Sequence, residues 1–325
     1  MAKRVTLSSS AEFAQTRRQS IFLLLAVFML FLVQGIVRPG SVTFNQTMNI
    51  TRQASALGVV VLGQALVILA GGIDLSVGSM VTLTNVFAVS MMKGQDSNFL
   101  TAALICVGLG VVVGTFNALG VIKLGIAPFI MSLCSMSIME GVYLVYTGGS
   151  PSGRVSPLLK TIGNESFLGK VPYSTIIWVA LAVLIWYVLM KTSYGRKVFA
   201  VGSNPTAARL CGIRSDAVSF STYVICSVLA AVAGLLASGY VGTTSLSIGS
   251  DYMTNSLAAV LIGGNAIEGG KGGIWGGVLG AFFIMLLFAV LTMLSIGQVG
   301  KLITQGLIIF VVVALQGQFK GGRKE

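Results

Sequence analysis

KTSYGRKVFAVGSNPTAARLCGIRS, Lys191 to Ser215, is the stretch on which the reading of this chain turns. It holds Lys191, Arg196, Lys197, Arg209 and Arg214, and no acid. Apolar segments flank it, Tyr173 to Met190 before and Val218 to Tyr240 after, so it is a basic island between two membrane-embedded halves. Its second half carries helix punctuation. Asn204 suits an N-cap, Pro205 the first helical position, and Gly212 the position just past the end. A helix of about two turns results, and one so short is not stable alone in water. Either the rest of the chain or a docked partner must hold it.

Composition places the island in lipid surroundings. Of 325 residues, 55% are hydrophobic and only 9% charged, with a mean hydropathy of +0.91. A soluble domain carries about a quarter charged residues, so this is an integral membrane protein. The net charge of +12 does not indicate a nucleic-acid binder, because the bases lie at the ends of apolar runs and not on a polar face with aromatics between them. Histidine is absent, which removes catalytic triads and the common zinc sites. Cys106, Cys134, Cys211 and Cys226 form no CxxC pair and read as small fillers, not a disulfide framework. No catalytic residue, metal site or enzyme activity is expected. The polar start MAKRVTLSSSAEFAQTRRQ before a long apolar run is not a cleavable signal.

In order, the apolar segments are Ile21 to Val37, Ala56 to Ala70, Ser76 to Met92, Leu100 to Ile122, Pro128 to Tyr146 and Tyr173 to Met190. After the island come Val218 to Tyr240, a short piece at Leu257 to Ile262, then Ile274 to Ser295 and Leu302 to Leu315. The expected fold is all-α, with about ten transmembrane helices and both termini cytoplasmic. Residues 1–18 form a cytoplasmic tail, 19–318 the transmembrane domain with its loop at 191–215, and 319–325 a second basic tail. Arg38 to Arg52, Thr147 to Pro172 and Thr243 to Tyr252 are expected as outer loops. The inner side then holds four N-terminal bases, Lys123, the five of the island, Lys271 and three at the C-terminus, 14 in all against 7 outside. That is the bias of a multi-pass membrane protein with both ends inside.

Two breaks interrupt the apolar pattern. ALVILAGGIDLSVGS (65–79) has a distant echo in AAVLIGGNAIEGG (258–270), each an apolar run stopped by Gly-Gly with an acid soon after. Paired glycine-interrupted segments point to a transporter's central pathway. Asp74 sits where the N-cap of the third span belongs, which is the commonest use of an Asp after glycines. An acid at membrane depth also leans toward function, and the two roles are compatible. Glu140 either snorkels to the outer water or accepts substrate hydroxyls beside Tyr143 and Tyr146. Asn117 offers a substrate contact or an interhelical hydrogen bond. Glycines at 269, 273 and 277, at 272, 276 and 280, and at 110 and 114 recur every four residues and suit close helix packing. EGGKGG is not a phosphate loop, since Asn265 and Gly272 stand where Gly and Ser or Thr are required.

GGIDLSVGS (71–79) and YGRKVFAVGSNPTAARLCGI (194–213) resemble the membrane (permease) subunit of ribose-type ABC sugar importers, and APFIMSLCSMSI, TGGSP and residues 257–281 support the resemblance. It implies two permease subunits, identical or different, around one pathway. It further implies a separate cytoplasmic ABC ATPase subunit, holding ATP and magnesium, and a periplasmic solute-binding protein. No cofactor is implied on this chain itself. Gly195, Arg196, Asn204, Pro205, Ala208, Arg209 and Gly212 correspond to the loop that meets the ATPase. Gly72, Asp74, Ser76, Gly78 and Ser79 match the signature of the first half, and with Asn117 and Glu140 make up the expected pathway set. The chain departs from the pattern at Glu140, where an Arg is usual, and at Asn265-Ala266, where Thr-Ser or similar follows the second Gly-Gly.

The resemblance implies an importer that moves a sugar or related small polar solute when ATP-driven motors push the Asn204–Gly212 helix. A carrier driven by protons or sodium, working through Asp74 and Glu140, is the alternative from another class. A branched-chain amino-acid permease is the alternative within the ABC class.

Overall fold

The computed structural model describes residues 21–321, so the tail at 1–18 and residues 322–325 lie outside the described residues. The helices are α1 (Ile21–Val37), α2 (Phe44–Leu69), α3 (Val77–Met92), α4 (Phe99–Ile122), α5 (Pro128–Thr147), α6 (Pro157–Asn164), α7 (Tyr173–Lys191), α8 (Ser193–Ser203), α9 (Pro205–Leu210), α10 (Ser215–Val241), α11 (Ser250–Ile262), α12 (Ile274–Met293) and α13 (Gln298–Gly321). One small antiparallel hairpin, β1 (Ser166–Phe167) and β2 (Val171–Pro172), interrupts the helical pattern. Among the described residues, α2, α4 with the turn before it, α5, α7, α10 and α12 are long and apolar enough to cross a membrane. Shorter apolar helices are α1, α3 and α13.

α2 is the axis of the bundle. Its apolar window is 89% buried, against 22% for α4 and 28% for α5. A helix that is apolar on every side has to be surrounded, and α7, α10, α11 and α12 surround it. Glycines set the approach: a side chain at Gly58 would occupy the place of the Trp178 indole, and one at Gly63 would sit 2.9 Å from the Cys226 Cα. α4 meets α10 in the same way. A Cβ at Gly110 would lie 2.9 Å from the Ser227 carbonyl oxygen, and one at Gly114 2.6 Å from the Val224 Cα. Close backbone packing of this kind is what small residues four apart permit.

Three expectations change. α2 begins at Phe44 and not near Ala56, so the outer loop expected at Arg38 to Arg52 shrinks to the residues before Phe44. Thr43 caps α2 by accepting the Gln46 N–H at 3.2 Å, and Arg52 is held by Asn49 at 3.3 Å and by Ser166 at 3.0 Å. Those polar residues extend the helix to the hairpin. The short piece at Leu257 to Ile262 becomes the 13-residue α11, which still stops at Gly263-Gly264. The four-residue glycine pattern is helical only from Ile274 onward. Gly269 and Gly272 have positive φ and belong to a loop, while Gly276 and Gly280 lie against Gly263 and Ala259.

Candidate functional site

The island folds into an arm of two helices. Gly195 is buried because a side chain there would overlap the Leu189 carbonyl, so its absence lets α8 fold back on the end of α7. Tyr194 donates to or accepts from Ser221 at 2.7 Å. Burial pushes its hydroxyl above the ordinary value, so this latch onto α10 is uncharged at neutral pH. Asn204 is extended, with φ −163° and ψ 103°, and its side-chain oxygen accepts the Ala207 N–H at 3.0 Å. Pro205 opens α9, Gly212 takes φ +79° beyond its end, and the Ile213 N–H closes the turn on the Ala208 carbonyl at 3.0 Å. Ser215 ties the loop back to the Pro205 carbonyl at 3.1 Å. Every expected feature of a capped short helix is present.

Within the arm the expected residues divide. Gly195 and Ala208 are buried and seat it, whereas Arg196, Asn204, Pro205, Arg209 and Gly212 are exposed. Arg209 forms an ion pair with Asp216 at 2.8 Å, one residue beyond the island as bounded above. Leu210, which sequence reasoning passed over, is 85% exposed at the tip of a helix with nothing of its own chain to cover it.

The first glycine break leads into a buried polar hub. Asp74 is fully buried and its Oδ1 accepts both the N–H and the hydroxyl of Ser76, the N–H at 2.9 Å. It thus organises the turn two residues ahead of α3, a capping function without being the N-cap itself. The Asn117 amide on α4 donates to the Ser76 hydroxyl at 2.9 Å, and the Ser135 hydroxyl on α5 donates to the Asn117 carbonyl oxygen. Asn117 is therefore an interhelical tie with both ends of its amide engaged. Ser135, not expected, completes the chain from the break to α5.

α3 and α5 continue side by side from this hub. Ser79 donates to the Glu140 carboxylate at 3.3 Å, Phe87 stacks on Tyr146 with centroids 4.4 Å apart, and Ser90 meets the Tyr146 hydroxyl at 2.9 Å. Glu140 is half-buried and tied to α3, and Tyr146 is engaged with α3 residues. At Gly72 a Cβ would stand 2.5 Å from the Tyr223 hydroxyl, so that glycine leaves room for α10.

The segment expected as an outer loop at Thr243 to Tyr252 lies along α3 and not beyond its end. The Asn85 side-chain amide donates to Ser238 at 2.9 Å and to the Thr243 carbonyl at 3.2 Å, and its oxygen accepts the Ser245 N–H at 2.8 Å. One turn further along α3, Thr82 accepts the Gly249 N–H at 3.1 Å, and a side chain at Gly249 would overlap the Gly78 carbonyl. From Asn85 to Gly78 is roughly 10 Å of helix. Gly78, an expected pathway residue, is the floor on which α11 begins. The descent leaves Ser247, Ser250 and Asp251 exposed at the start of α11, with Gln298 donating to Asp251 at 3.3 Å. Polar groups at that depth face a bundle interior or a water-filled space, because lipid cannot satisfy them.

Comparison with known proteins follows this geometry. A family model described as "Branched-chain amino acid transport system / permease component" matches residues 46–313. The ribose import permease protein RbsC of Escherichia coli K12 is 33% identical over 301 residues, 91% of this chain and 92% of the relative. The RbsC protein of Bacillus subtilis is 32% identical over 294 residues, 90% of each. The galactose/methyl galactoside import permease MglC of Haemophilus influenzae is 29% identical over 309 residues, 89% of this chain and 92% of the relative. No solved structure matches.

Proposed function

The chain belongs to the branched-chain amino acid transport system / permease component family, and from that premise we propose that it is the permease subunit of an ABC importer for a sugar. Its relatives that match over nine-tenths of their length are named as importers of ribose and galactose. Hydroxyls at Ser247 and Ser250 with the Asp251 carboxylate suit such a solute, since they exchange hydrogen bonds with a polyol in place of water. The observation that carries the reading is the arm: α8 and the six-residue α9 held by its caps, presenting Arg196 on α8 and Leu210 on α9 outward from the bundle.

In this reading the arm is cytoplasmic and docks in a cleft of a separate ATPase subunit, which holds ATP and magnesium. Gly195 and Ala208 seat it, and Arg196, Asn204, Pro205, Arg209 and Gly212 shape its docking face. A periplasmic binding protein delivers the solute, and a second permease subunit, identical or different, closes the pathway. The six long helices, with α1, α3, α11 and α13, make up about ten membrane helices with both ends inside. The 14-to-7 split of basic residues supports this orientation, and the bacterial relatives support the inner membrane as its location. Gly72, Asp74, Ser76, Asn117, Gly78, Ser79 and Glu140 hold the pathway walls in register, the first six from buried positions. ATP-driven closure of the motors displaces the arms as rigid bodies and reorients the gate.

The test is uptake of labelled ribose, galactose and leucine into vesicles containing the permease, with and without the ATPase and binding protein. ATP-dependent sugar uptake by the complete assembly is expected, with none from the solitary chain. Accumulation by the solitary chain under an ion gradient would replace this reading with the carrier. Leucine uptake without sugar uptake would replace the substrate class. Maleimide labelling of exposed Cys211 from the inner side alone checks the orientation.

A further inference from the structure

The arm reaches the rest of the bundle through backbone. Gly202, in the last turn of α8 and just ahead of Asn204, is buried against the end of α2: a Cβ there would overlap the Leu69 carbonyl oxygen and lie 2.6 Å from the Gly270 nitrogen. Gly269 closes the triangle, since its Cβ would lie 2.7 Å from the Gly71 Cα and 2.9 Å from the Gly202 carbonyl oxygen. Gly270 abuts Ser203, and its N–H donates to the Leu69 carbonyl at 3.0 Å. The two glycine breaks, far apart in sequence and alike in pattern, therefore meet at one point, and the arm is the third member of that point.

We infer that this three-way glycine junction is the transmission element of the importer, with Gly202 as its key positioning residue. The inference rests on the arm being the ATPase-facing element. Interleaved side chains absorb a displacement by changing rotamer, but backbone against backbone at van der Waals distance has no such slack. A push on α9 is delivered at Gly202 to two segments at once. One runs through Gly71 to Asp74 and the hub on α3, α4 and α5. The other runs back to Gly263 and the half-length α11, whose outer end carries the exposed hydroxyls. The junction moves both walls of the pathway together, which a contact to either break alone does not achieve.

The experiment compares Gly202→Ala with Gly108→Ala in vesicles holding the complete assembly. Gly108 is an exposed helical position with nothing within 4 Å of its would-be Cβ. Gly202→Ala is expected to insert and to co-purify with the ATPase subunit, yet to lose about tenfold or more of its sugar uptake and its binding-protein-stimulated ATP hydrolysis. Gly108→Ala stays within about twofold of wild type. In the wild-type assembly, hydrogen exchange of segments 66–72, 199–204 and 266–272 is expected to change together when ATP binds. This second measurement decides the matter if the alanine variant does not fold. Uptake by Gly202→Ala within about twofold of wild type, or exchange that changes in 199–204 alone, overturns the junction and leaves the sugar-import reading intact. Absence of ATP-dependent uptake in wild type overturns that reading instead.

Discussion

Asp216 holds Arg209 at 2.8 Å, both side chains more than half exposed, so the short helix α9 is pinned to the first turn of α10 by an ion pair in water. An exposed pair of this kind contributes at most about 1 kcal/mol. Asp216→Ala should therefore leave membrane levels and ATP-dependent uptake within about twofold of wild type. Arg209→Glu is different, because it sets two like charges side by side and puts a negative charge where an exposed positive one stood. Insertion should be normal, with stimulated uptake and ATPase coupling lost. Normal uptake by that variant would remove Arg209 from the coupling face.

Asn204 bears on the same helix by another route. Loss of an N-cap side chain costs about 1 kcal/mol, and α9 has only six residues over which to recover it. Asn204→Ala should lower initial uptake by about threefold to tenfold, while Asn204→Ser and Asn204→Asp, which retain a capping oxygen, restore it. Vesicle uptake at equal protein levels is the readout. Equal losses in all three variants would mean that the Asn side chain touches the partner itself.

Asn85 fixes the depth of the loop before α11. Its amide serves Ser238, Thr243 and Ser245 from a fully buried position. Asn85→Leu takes a partner from the Ser245 N–H and the Thr243 carbonyl, both part-buried, while Ser238 keeps its bond to the Gly234 carbonyl, and a donor or acceptor left buried without a partner costs about 1–3 kcal/mol. The variant should melt at lower temperature in detergent and be cleaved by protease between Gly242 and Ser250, where wild type resists. Unchanged protection would mean that Thr82 and Gly78 hold the loop unaided.

Asp74 tests the hub. Asp74→Asn keeps an oxygen for the two Ser76 donors, whereas Asp74→Leu leaves both without an acceptor at a buried site, at about 1–3 kcal/mol each. The Asn variant should retain ATP-dependent uptake and the Leu variant should be recovered in much lower yield. Loss of uptake in a well-folded Asn variant would give the carboxylate charge a role of its own.

What the sequence disclosed and what it withheld divide along contact range. Asn204, Pro205 and Gly212 act on neighbours a few residues away, so the capped helix was readable from one line of sequence. The pairing of Gly110 and Gly114 with α10 was readable in kind, because spacing alone puts them on one face. The depth of the 243–250 loop was not, since Asn85 and Thr82 set it from 160 and 167 residues away. Asn45 to Asn49 read as loop for a related reason: polarity suggested water, and only the hairpin that receives Arg52 through Ser166 shows why the helix persists. The echo between the two Gly-Gly breaks was visible as pattern, but its cause, that Gly71 and Gly269 touch, lies in three dimensions. Ser135 gave no signal, being one serine of several on α5.

Glu140 separates the importer from the ion-coupled carrier. It is half-buried on α5 and accepts the Ser79 hydroxyl at 3.3 Å, a long bond that a neutral oxygen also satisfies. Glu140→Gln removes the charge and keeps the acceptor. In an ATP-driven permease its uptake should stay within about threefold of wild type, with no change in dependence on the proton gradient. In a carrier that moves protons on this carboxylate, the same substitution abolishes accumulation. Glu140→Leu removes the acceptor as well, so it should lower uptake further than Gln by loosening α5 from α3. Initial rates in energised vesicles, with the gradient and ATP supplied separately, distinguish the two. A Gln variant inactive under ATP would show that the carboxylate itself engages the passing sugar.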